Sequence, residues 1–278
     1  MKIAIQGEQA SFHDIAARQF FGEDIEILAC DSFAACFSAL QSGQADRAIV
    51  AIENSLYGSI NQVYDLLLKH HFPIVGEVFL HIQQCLIGLP GAAIQNIQEV
   101  HSHPVALAQC QKYLDEQLPG AERFERGDTA ASVADIKTWN DPTKAAIGGT
   151  AAAELHGMEV LAKEIETNKQ NYTRFVVLQR EPADVPEADK VSIILQTPKD
   201  TKSGALYRAL GVFASRELNL LLLHSRPIIG KAWHYMFYLD VAATPDSADL
   251  KAALQELTDQ GCDIKVLGNY KAGQVTTG

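Results

Sequence analysis

The sequence predicts an α/β protein with a two-lobed α/β region over residues 1–180, a linker over residues 181–189 and a smaller βαββαβ unit over residues 190–271. Three observations support this prediction. Strand-like and helix-like segments alternate up to about residue 180, which is typical of a largely parallel sheet. Residues 181–189 are acidic and contain two prolines, which is typical of a linker. Beyond them the segments change to the order strand, helix, strand, strand, helix, strand.

Composition and charge exclude several classes of protein. The 278 residues are 47% hydrophobic and 21% charged, as expected for a globular protein with a substantial core. A formal net charge of -11 without a Lys/Arg-rich stripe argues against a nucleic-acid partner. No apolar run approaches a membrane span and the start lacks the apolar core of a signal peptide, so we expect a cytoplasmic protein without a membrane partner. Five cysteines without paired spacing indicate reduced core thiols rather than disulfides or a metal site.

The first lobe is predicted from the apolar pattern of the first 69 residues. Ser11 and Ser32 are suited to cap helices, and Gly43 is suited to end the second one. The predicted elements are a strand over 2–6, a helix after Ser11, a strand over 25–29, a helix from Ser32 to Gly43, a strand over 48–52 and a helix over 60–69.

A second α/β lobe is predicted over about residues 74–165. Its predicted elements are extended runs over 74–89, a strand over 99–102, a helix from Pro104 to Gln117, a helix that opens at Asp128-Thr129 and a strand over 145–147. The chain then returns to the first lobe through residues 171–178. Two lobes joined by two crossings enclose a cleft, which is the usual place for a small ligand.

The segment after the linker has the ferredoxin-like order of elements. We predict strands over 190–196, 220–225, 233–241 and 264–269, and helices over 203–217 and 247–260.

Short polar side chains follow several strands of the first region, in residues 7–12, 53–58, 102–109 and 128–132. The carboxyl ends of strands in open α/β sheets face the ligand crevice, so these segments are expected to converge with Thr173. Alternation along a strand places Thr173 and Phe175 on one face and Arg174 on the other, unless the start of the strand is bent. The plainer interpretation of Ser11 and Thr129 is that they only cap helices.

At these positions the chain resembles prephenate dehydratase. The successive family motifs are matched by Ile-Glu-Asn-Ser at 52–55, Ser-His-Pro at 102–104 with Gln109-Cys110, Asp-Thr-Ala-Ala at 128–131 and Thr-Arg-Phe at 173–175. The C-terminal part is similar to the ACT regulatory domain of these enzymes, through Gly-Ala-Leu at 204–206 and His-Ser-Arg-Pro at 224–227 followed by Trp233 and Tyr235. The resemblance covers nearly the whole chain in the same order. It begins at the first strand, so we expect a monofunctional enzyme with no chorismate mutase module.

The resemblance implies a periplasmic-binding-protein-like catalytic region that converts prephenate to phenylpyruvate in L-phenylalanine biosynthesis, with loss of carbon dioxide and hydroxide. It implies no metal or organic cofactor. The catalytic residues that it implies are Thr173, Arg174, Phe175, Glu53 and Asn54, and the substrate-binding residues are Ser55, Ser102, His103, Gln109, Thr129 and Ser11.

Each implied catalytic residue has an expected role. We expect Arg174 to bind the carboxylate that stays on the pyruvyl arm, because a cation on the departing carboxylate would slow its loss. Thr173 is expected near the leaving hydroxyl, where it hydrogen-bonds or relays a proton rather than acting as a true acid. Glu53 and His103 both stay open as the proton source. A plainer interpretation of His103 is a helix-entry residue before Pro104.

The same resemblance implies an L-phenylalanine effector site and a homo-dimer or homo-tetramer held through ACT domains. The implied effector-binding residues are Gly204, Ala205, Leu206, Asn219, His224, Ser225, Arg226 and Pro227. The family usually has Glu where this chain has His224, and imidazole is a weaker partner for an ammonium group. The opening residues 7–13 also diverge from the commoner family form. Alternative functions are arogenate dehydratase and a non-enzymatic two-lobed small-molecule binding protein.

Overall fold

The structure is a computed structural model that describes residues 1–198, 203–228, 230–231 and 233–275. It contains two compact units. The first consists mainly of Met1–Leu66 and Val78–Val176, and the second of Leu67–Glu77 and Val177–Gly273.

The first lobe is built on a sheet with the strand order β2-β1-β3-β11-β5, in which β4 pairs with β3. Its strands are β1 (Lys2–Gln6), β2 (Glu26–Cys30), β3 (Arg47–Asn54), β4 (Gly58–Ser59), β5 (Ile74–His81) and β11 (Tyr172–Leu178). β1 runs parallel to both β2 and β3. The middle of β1 is fully buried, as expected for a central parallel strand that is covered on both faces.

Three helices belong to this lobe: α1 (Phe12–Phe21), α2 (Phe33–Ser42) and α3 (Asn61–His70). Ser11 caps α1 through a bond from the Asp14 N–H, and Ser32 caps α2 through a bond from the Ala35 N–H, as predicted. Gly43 ends α2 in the left-handed conformation.

The second lobe has a mixed sheet with the order β10-β6-β9-β7-β8. Its elements are β6 (Cys85–Gly88), a 3-10 helix (Ile94–Asn96), β7 (Glu99–Ser102), α4 (Pro104–Gln109), α5 (Gln111–Gln117), β8 (Glu122–Glu125), α6 (Thr129–Trp139), β9 (Lys144–Gly148), α7 (Thr150–His156) and β10 (Glu159–Ala162). The helix predicted over 104–117 is divided at Cys110 into α4 and α5. β5, which we predicted to open this lobe, instead joins the first sheet, because it pairs next to the returning strand β11.

The second unit carries the ferredoxin-like βαββαβ fold. Its sheet has the order β13-β14-β12-β15, and all three pairings are antiparallel. The elements are β12 (Lys190–Gln196), α8 (Ala205–Ala214), β13 (Asn219–Pro227), β14 (Tyr235–Ala242), α9 (Ala248–Asp259) and β15 (Asp263–Tyr270). Apolar side chains of the strands and of both helices form one buried cluster.

A buried ionic cluster also belongs to the second unit. Lys190 Nζ lies 2.6 Å from Glu77 Oε1, and both side chains are at most 5% exposed. The Gly273 N–H donates to the same Glu77 oxygen at 2.9 Å. Close by on the sheet, Ser192 Oγ donates to Asp240 Oδ1 at 2.5 Å. The Glu77–Lys190 pair joins the segment Leu67–Glu77 of this unit to β12. No helix in the described part of the chain is long and apolar enough to cross a membrane.

Candidate active site

A cavity of about 340 Å³ lies in the first unit, at the ends of β1 and β3 and the starts of β11, α1, α4 and α6. Its polar lining consists of Gln6, Ser11, His13, Asn54, Tyr57, Gln84, His103, Gln109, Asp128, Thr129 and Thr173. Phe12, Phe33, Phe175, Ile60 and Ile82 supply most of the apolar wall. The predicted convergence of strand ends therefore holds for Ser11, Asn54, His103, Gln109, Thr129, Thr173 and Phe175.

Thr173 and Asn54 are hydrogen-bonded to each other at the cavity wall. Asn54 Nδ2 donates to Thr173 Oγ1 at 3.0 Å. The orientation of the Asn54 amide is fixed, because its Oδ1 accepts from the backbone N–H groups of Leu56 and Tyr57, each at 3.0 Å. Thr173 thus accepts from Asn54, and its own hydroxyl hydrogen is left to donate into the cavity.

The bond to Thr173 continues a row of amides. Asn54 Nδ2 also donates to Asn171 Oδ1 at 2.9 Å, and Asn171 Nδ2 donates to Gln109 Oε1 at 3.0 Å. Gln84 Nε2 donates to the same Gln109 oxygen at 3.3 Å. Asn171 and Gln84 are buried, and the hydrogen bonds of the row hold its amides in fixed orientations at the cavity.

Two predicted substrate-binding serines lie outside the cavity lining and bond to the backbone instead. Ser55 Oγ donates to the Gln170 carbonyl at 2.7 Å and accepts from the Tyr172 N–H at 2.9 Å, which fastens β3 to the start of β11. Ser102 is completely buried, and its hydroxyl donates to the Ile147 carbonyl at 2.7 Å. Both serines hold the strands that carry the site.

Arg174 and Glu53 are also absent from the cavity lining. Arg174 is 6% exposed and takes the face of β11 opposite to Thr173 and Phe175, as strand alternation predicts. Glu53 lies on β3 next to Asn54, where it pairs with Ser59 of β4.

His103 caps α4 and lines the cavity. The Val105 N–H donates to His103 Nδ1 at 3.3 Å, so the neutral ring carries its proton on Nε2. Burial lowers the pKa of His103, although Asp128 and Glu125 oppose the shift. His103 is thus the helix-entry residue of the plainer interpretation, and it also lines the cavity, while its catalytic role stays a prediction.

His13 is a cavity residue that the sequence did not single out. Burial lowers its pKa to about 3, so its ring is neutral at physiological pH. The Ala51 N–H donates to His13 Nε2 at 3.3 Å. The ring packs edge-on against Phe175 with 4.9 Å between ring centroids. His13 thus holds Phe175 in place.

Asp128 is the carboxylate of the cavity wall. It caps α6 through a bond from the Ala131 N–H at 2.9 Å. Burial raises its pKa, against the opposing effect of the helix N–H groups and His103. A side chain at Gly7 would clash, since its Cβ would lie 2.6 Å from Asp128 Oδ2. Gly7, with φ of +97°, therefore lets the end of β1 approach the start of α6.

No Lys or Arg among the described residues lines the cavity. Likewise, the described residues contain no group of three or more His, Cys, Asp and Glu side chains that could hold a metal ion.

The predicted effector residues lie in the second unit. Gly204 is the N-cap of α8, with φ of +81°, and Ala205 and Leu206 form the first turn. The other predicted residues lie on β13, at the edge of the sheet. Along β13, Asn219, Ser225 and Pro227 are exposed, while His224 and Arg226 are half-buried.

Fold and cavity define the class of protein: a two-lobed, periplasmic-binding-protein-like α/β region with a ligand-sized cavity, followed in the chain by a ferredoxin-like unit. A family model described as prephenate dehydratase matches residues 3–183. A similar curated protein is the bifunctional chorismate mutase/prephenate dehydratase of Escherichia coli strain K12, which is 37% identical over 99% of this chain and 72% of its own length. The chain belongs to the prephenate dehydratase family.

Two solved structures are similar over most of their length. A prephenate dehydratase from Arthrobacter aurescens in complex with L-Phe is 30% identical, with a TM-score of 0.87 over 98% of this chain and 90% of that chain. GqqA, described as a novel type of quorum quenching acylase, is 33% identical, with a TM-score of 0.86 over 98% of both chains.

Proposed function

We propose that the protein is a prephenate dehydratase that forms phenylpyruvate in L-phenylalanine biosynthesis. The observation that carries the proposal is the bond from Asn54 Nδ2 to Thr173 Oγ1 at the wall of the cavity. It joins two separate family motifs and leaves the threonine hydroxyl as a hydrogen-bond donor toward bound substrate.

The reaction breaks two bonds of prephenate. The electron pair of the bond to the ring carboxylate moves into the ring as carbon dioxide leaves, and the carbon–oxygen bond breaks as hydroxide leaves. Aromatisation supplies the driving force, so the protein has to orient the substrate and stabilise the departing oxygen. A hydrogen bond from Thr173 to that oxygen strengthens as negative charge develops there, which makes it a transition-state interaction.

The apolar wall suits the departing carboxylate. Phe12, Phe33 and Phe175 offer it neither charge nor hydrogen bonds, and no described Lys or Arg lines the cavity. Poor solvation destabilises the carboxylate in the ground state, which favours its departure as neutral carbon dioxide. Helix α1 begins at the cavity wall, and the positive end of its dipole favours the carboxylate that remains.

We retain Arg174 as the expected partner of the remaining carboxylate. Its side chain is buried outside the cavity lining, so direct contact requires it to turn toward the substrate. For the proton source, placement favours His103 over Glu53, because only His103 lines the cavity. His103 is neutral, so it contributes a hydrogen bond from Nε2–H and relays a proton rather than supplying one from an imidazolium.

An acylase function is the alternative that the similarity to GqqA raises. Acyl transfer requires a nucleophile next to a general base. Among the described residues, one nitrogen of each of His13 and His103 accepts from a backbone N–H, and no hydrogen bond joins either ring to a hydroxyl. The cavity therefore favours the dehydratase function. Arogenate dehydratase is a closer alternative, because the substrates differ only in the arm.

The ferredoxin-like unit is proposed to be an ACT domain that binds L-phenylalanine in a homo-dimer or homo-tetramer. β13 is a nine-residue edge strand whose exposed Leu221 and Leu223 suit pairing with a second copy. A similar prephenate dehydratase is solved in complex with L-Phe, which supports the effector.

An ultraviolet assay for phenylpyruvate tests the proposal. The protein is expected to convert prephenate, and added L-phenylalanine is expected to change the rate. A parallel incubation with an N-acyl homoserine lactone tests the acylase alternative by release of the free fatty acid. Fatty-acid release without phenylpyruvate formation would refute the dehydratase proposal.

A further inference from the structure

The amide row of the cavity ends at Gln84, whose Oε1 is buried without a hydrogen-bond partner among the described residues. The direction of the row is fixed from its other end. Backbone N–H groups only donate, so Asn54 Oδ1 must accept from Leu56 and Tyr57. Asn54 Nδ2 must then donate to Asn171 Oδ1.

The same constraint passes along the row to Gln84. Asn171 Nδ2 faces Gln109 Oε1, so that oxygen is an acceptor. Gln84 must therefore approach it with Nε2, at 3.3 Å. Turning the Gln84 amide over would set two carbonyl oxygens against each other. Gln84 is 3% exposed and lines the cavity, and its carbonyl oxygen is the acceptor that the row leaves over.

The surroundings of Gln84 are electronegative. Glu166, which is 2% exposed, accepts the backbone N–H of Gln84 on Oε2 at 2.8 Å. Lys169 Nζ lies 3.3 Å from the other Glu166 oxygen, but its side chain is half exposed and its charge is screened by water. Among the described residues that line the cavity, Asp128 carries the one acidic side chain, and none is Lys or Arg. This setting favours a ligand group that donates hydrogen bonds and carries positive charge.

We propose that Gln84 discriminates between the two related substrates: its carbonyl oxygen accepts a hydrogen bond from the α-ammonium group of arogenate. Prephenate has a keto oxygen at this position, which cannot donate. The row separates the two tasks, with Thr173 at one end for the leaving hydroxyl and Gln84 at the other for the arm. The inference rests on the proposed dehydratase function and assigns to it a specificity-determining residue.

The test compares kcat/KM for arogenate and prephenate, with phenylalanine and phenylpyruvate as products. Gln84→Met keeps the size of the side chain and removes its acceptor. Loss of the bond to Gln109 affects both substrates alike, whereas only arogenate loses a charge-assisted bond. We therefore expect Gln84→Met to lower kcat/KM for arogenate at least about tenfold more than kcat/KM for prephenate. Gln84→Glu is expected to raise the arogenate-to-prephenate ratio.

Gln83→Met is the matched control, because Gln83 is the exposed neighbour and contacts Glu164 rather than the cavity. Its ratio is expected to equal that of wild type. Both substrates are measured on one preparation, so partial misfolding cancels in the ratio. The role of Gln84 alone is overturned if Gln84→Met leaves the ratio unchanged, or if the wild-type protein converts prephenate but not arogenate. Turnover of neither substrate overturns the dehydratase function together with it.

Discussion

Both compact units contain buried polar side chains, but of different chemical kinds. In the first unit, the row from Thr173 to Gln84 consists of neutral amides and a hydroxyl. In the second, the Lys190–Glu77 pair consists of full charges 2.6 Å apart. The neutral row leaves two groups without a protein partner: the hydrogen of Thr173 and the Gln84 oxygen. The ion pair is supported from within the fold, since the Gly273 N–H donates to the same Glu77 oxygen.

This difference indicates different roles for the two regions. A buried ion pair is costly to break, because the remaining charge is left in the interior without a counter-charge. A neutral row with spare donors and acceptors can bind and release a ligand without burying a net charge of its own. The ionic cluster should therefore control stability, and the amide row should control catalysis.

The largest expected effect is on stability, in Lys190→Met. Loss of the cation leaves Glu77 charged and buried, so the free energy of unfolding should fall by about 3–5 kcal/mol. Denaturation in urea measures it. Lys251→Met, which removes an exposed pair with Asp246, is the control and should change stability by less than about 1 kcal/mol. A stable Lys190→Met protein with a lost kcat would reverse the assigned roles.

The opposite pattern is expected for Thr173→Val, which keeps the shape and removes the hydroxyl. Loss of one transition-state donor should lower kcat about 100-fold with little change in KM or in stability. Thr173→Ser should keep most of the activity.

Arg174→Ala should chiefly raise KM, because a carboxylate contact made in both ground and transition states is lost. Steady-state kinetics on prephenate separates these outcomes.

His13 gives the cavity region a predictable response to acid. Its pKa is about 3 in the folded protein and about 6.5 when unfolded, so the unfolded chain binds the additional proton between these values. The stability contribution of neutral His13 is fully present above pH 6.5 and is lost as pH falls toward 3. At pH 5 this loss is about 2 kcal/mol. His13→Gln does not titrate, so urea denaturation at pH 7 and pH 5 should show a smaller acid loss than in wild type.

The smallest expected effect concerns assembly through β13. Leu223→Lys puts a charge on the exposed face of this edge strand and should raise the dissociation constant of the oligomer about tenfold. Val266→Lys, on the opposite edge strand β15, is the control. Sedimentation velocity over a range of concentrations measures both. Equal effects of the two variants would argue against pairing through β13.

The sequence predicted more of the fold than of the cavity. Helix caps such as Ser11 and Ser32 are local features, so they were predicted correctly. Family motifs identified Asn54, Thr173 and Gln109, which line the cavity. Motif membership alone did not show that Ser55 and Ser102 lie outside the cavity lining, where their hydroxyls donate to backbone carbonyls.

The residues that sequence reasoning missed depend on tertiary packing. Gln84 follows an extended apolar run with no polar pattern that marks it, and only the direction of its amide makes it notable. His13 lies in the first turn of α1, where it is an ordinary helix residue until Phe175 packs on it. Asn171 could have been predicted from the sequence, because it lies two residues before Thr173 at the polar start of the segment 171–178. β5 was assigned to the second lobe because its partner β11 lies far along the chain.

A double-mutant cycle on Asn54 and Thr173 tests most directly the claim that the amide orients the catalytic hydroxyl. Asn54→Asp keeps the acceptor for the Leu56 and Tyr57 N–H groups but replaces the donor, so the Thr173 hydroxyl turns to the new carboxylate. It should lower kcat nearly as far as Thr173→Val, and the double variant should be no slower than Thr173→Val alone. Two losses that multiply in the double variant would contradict the account.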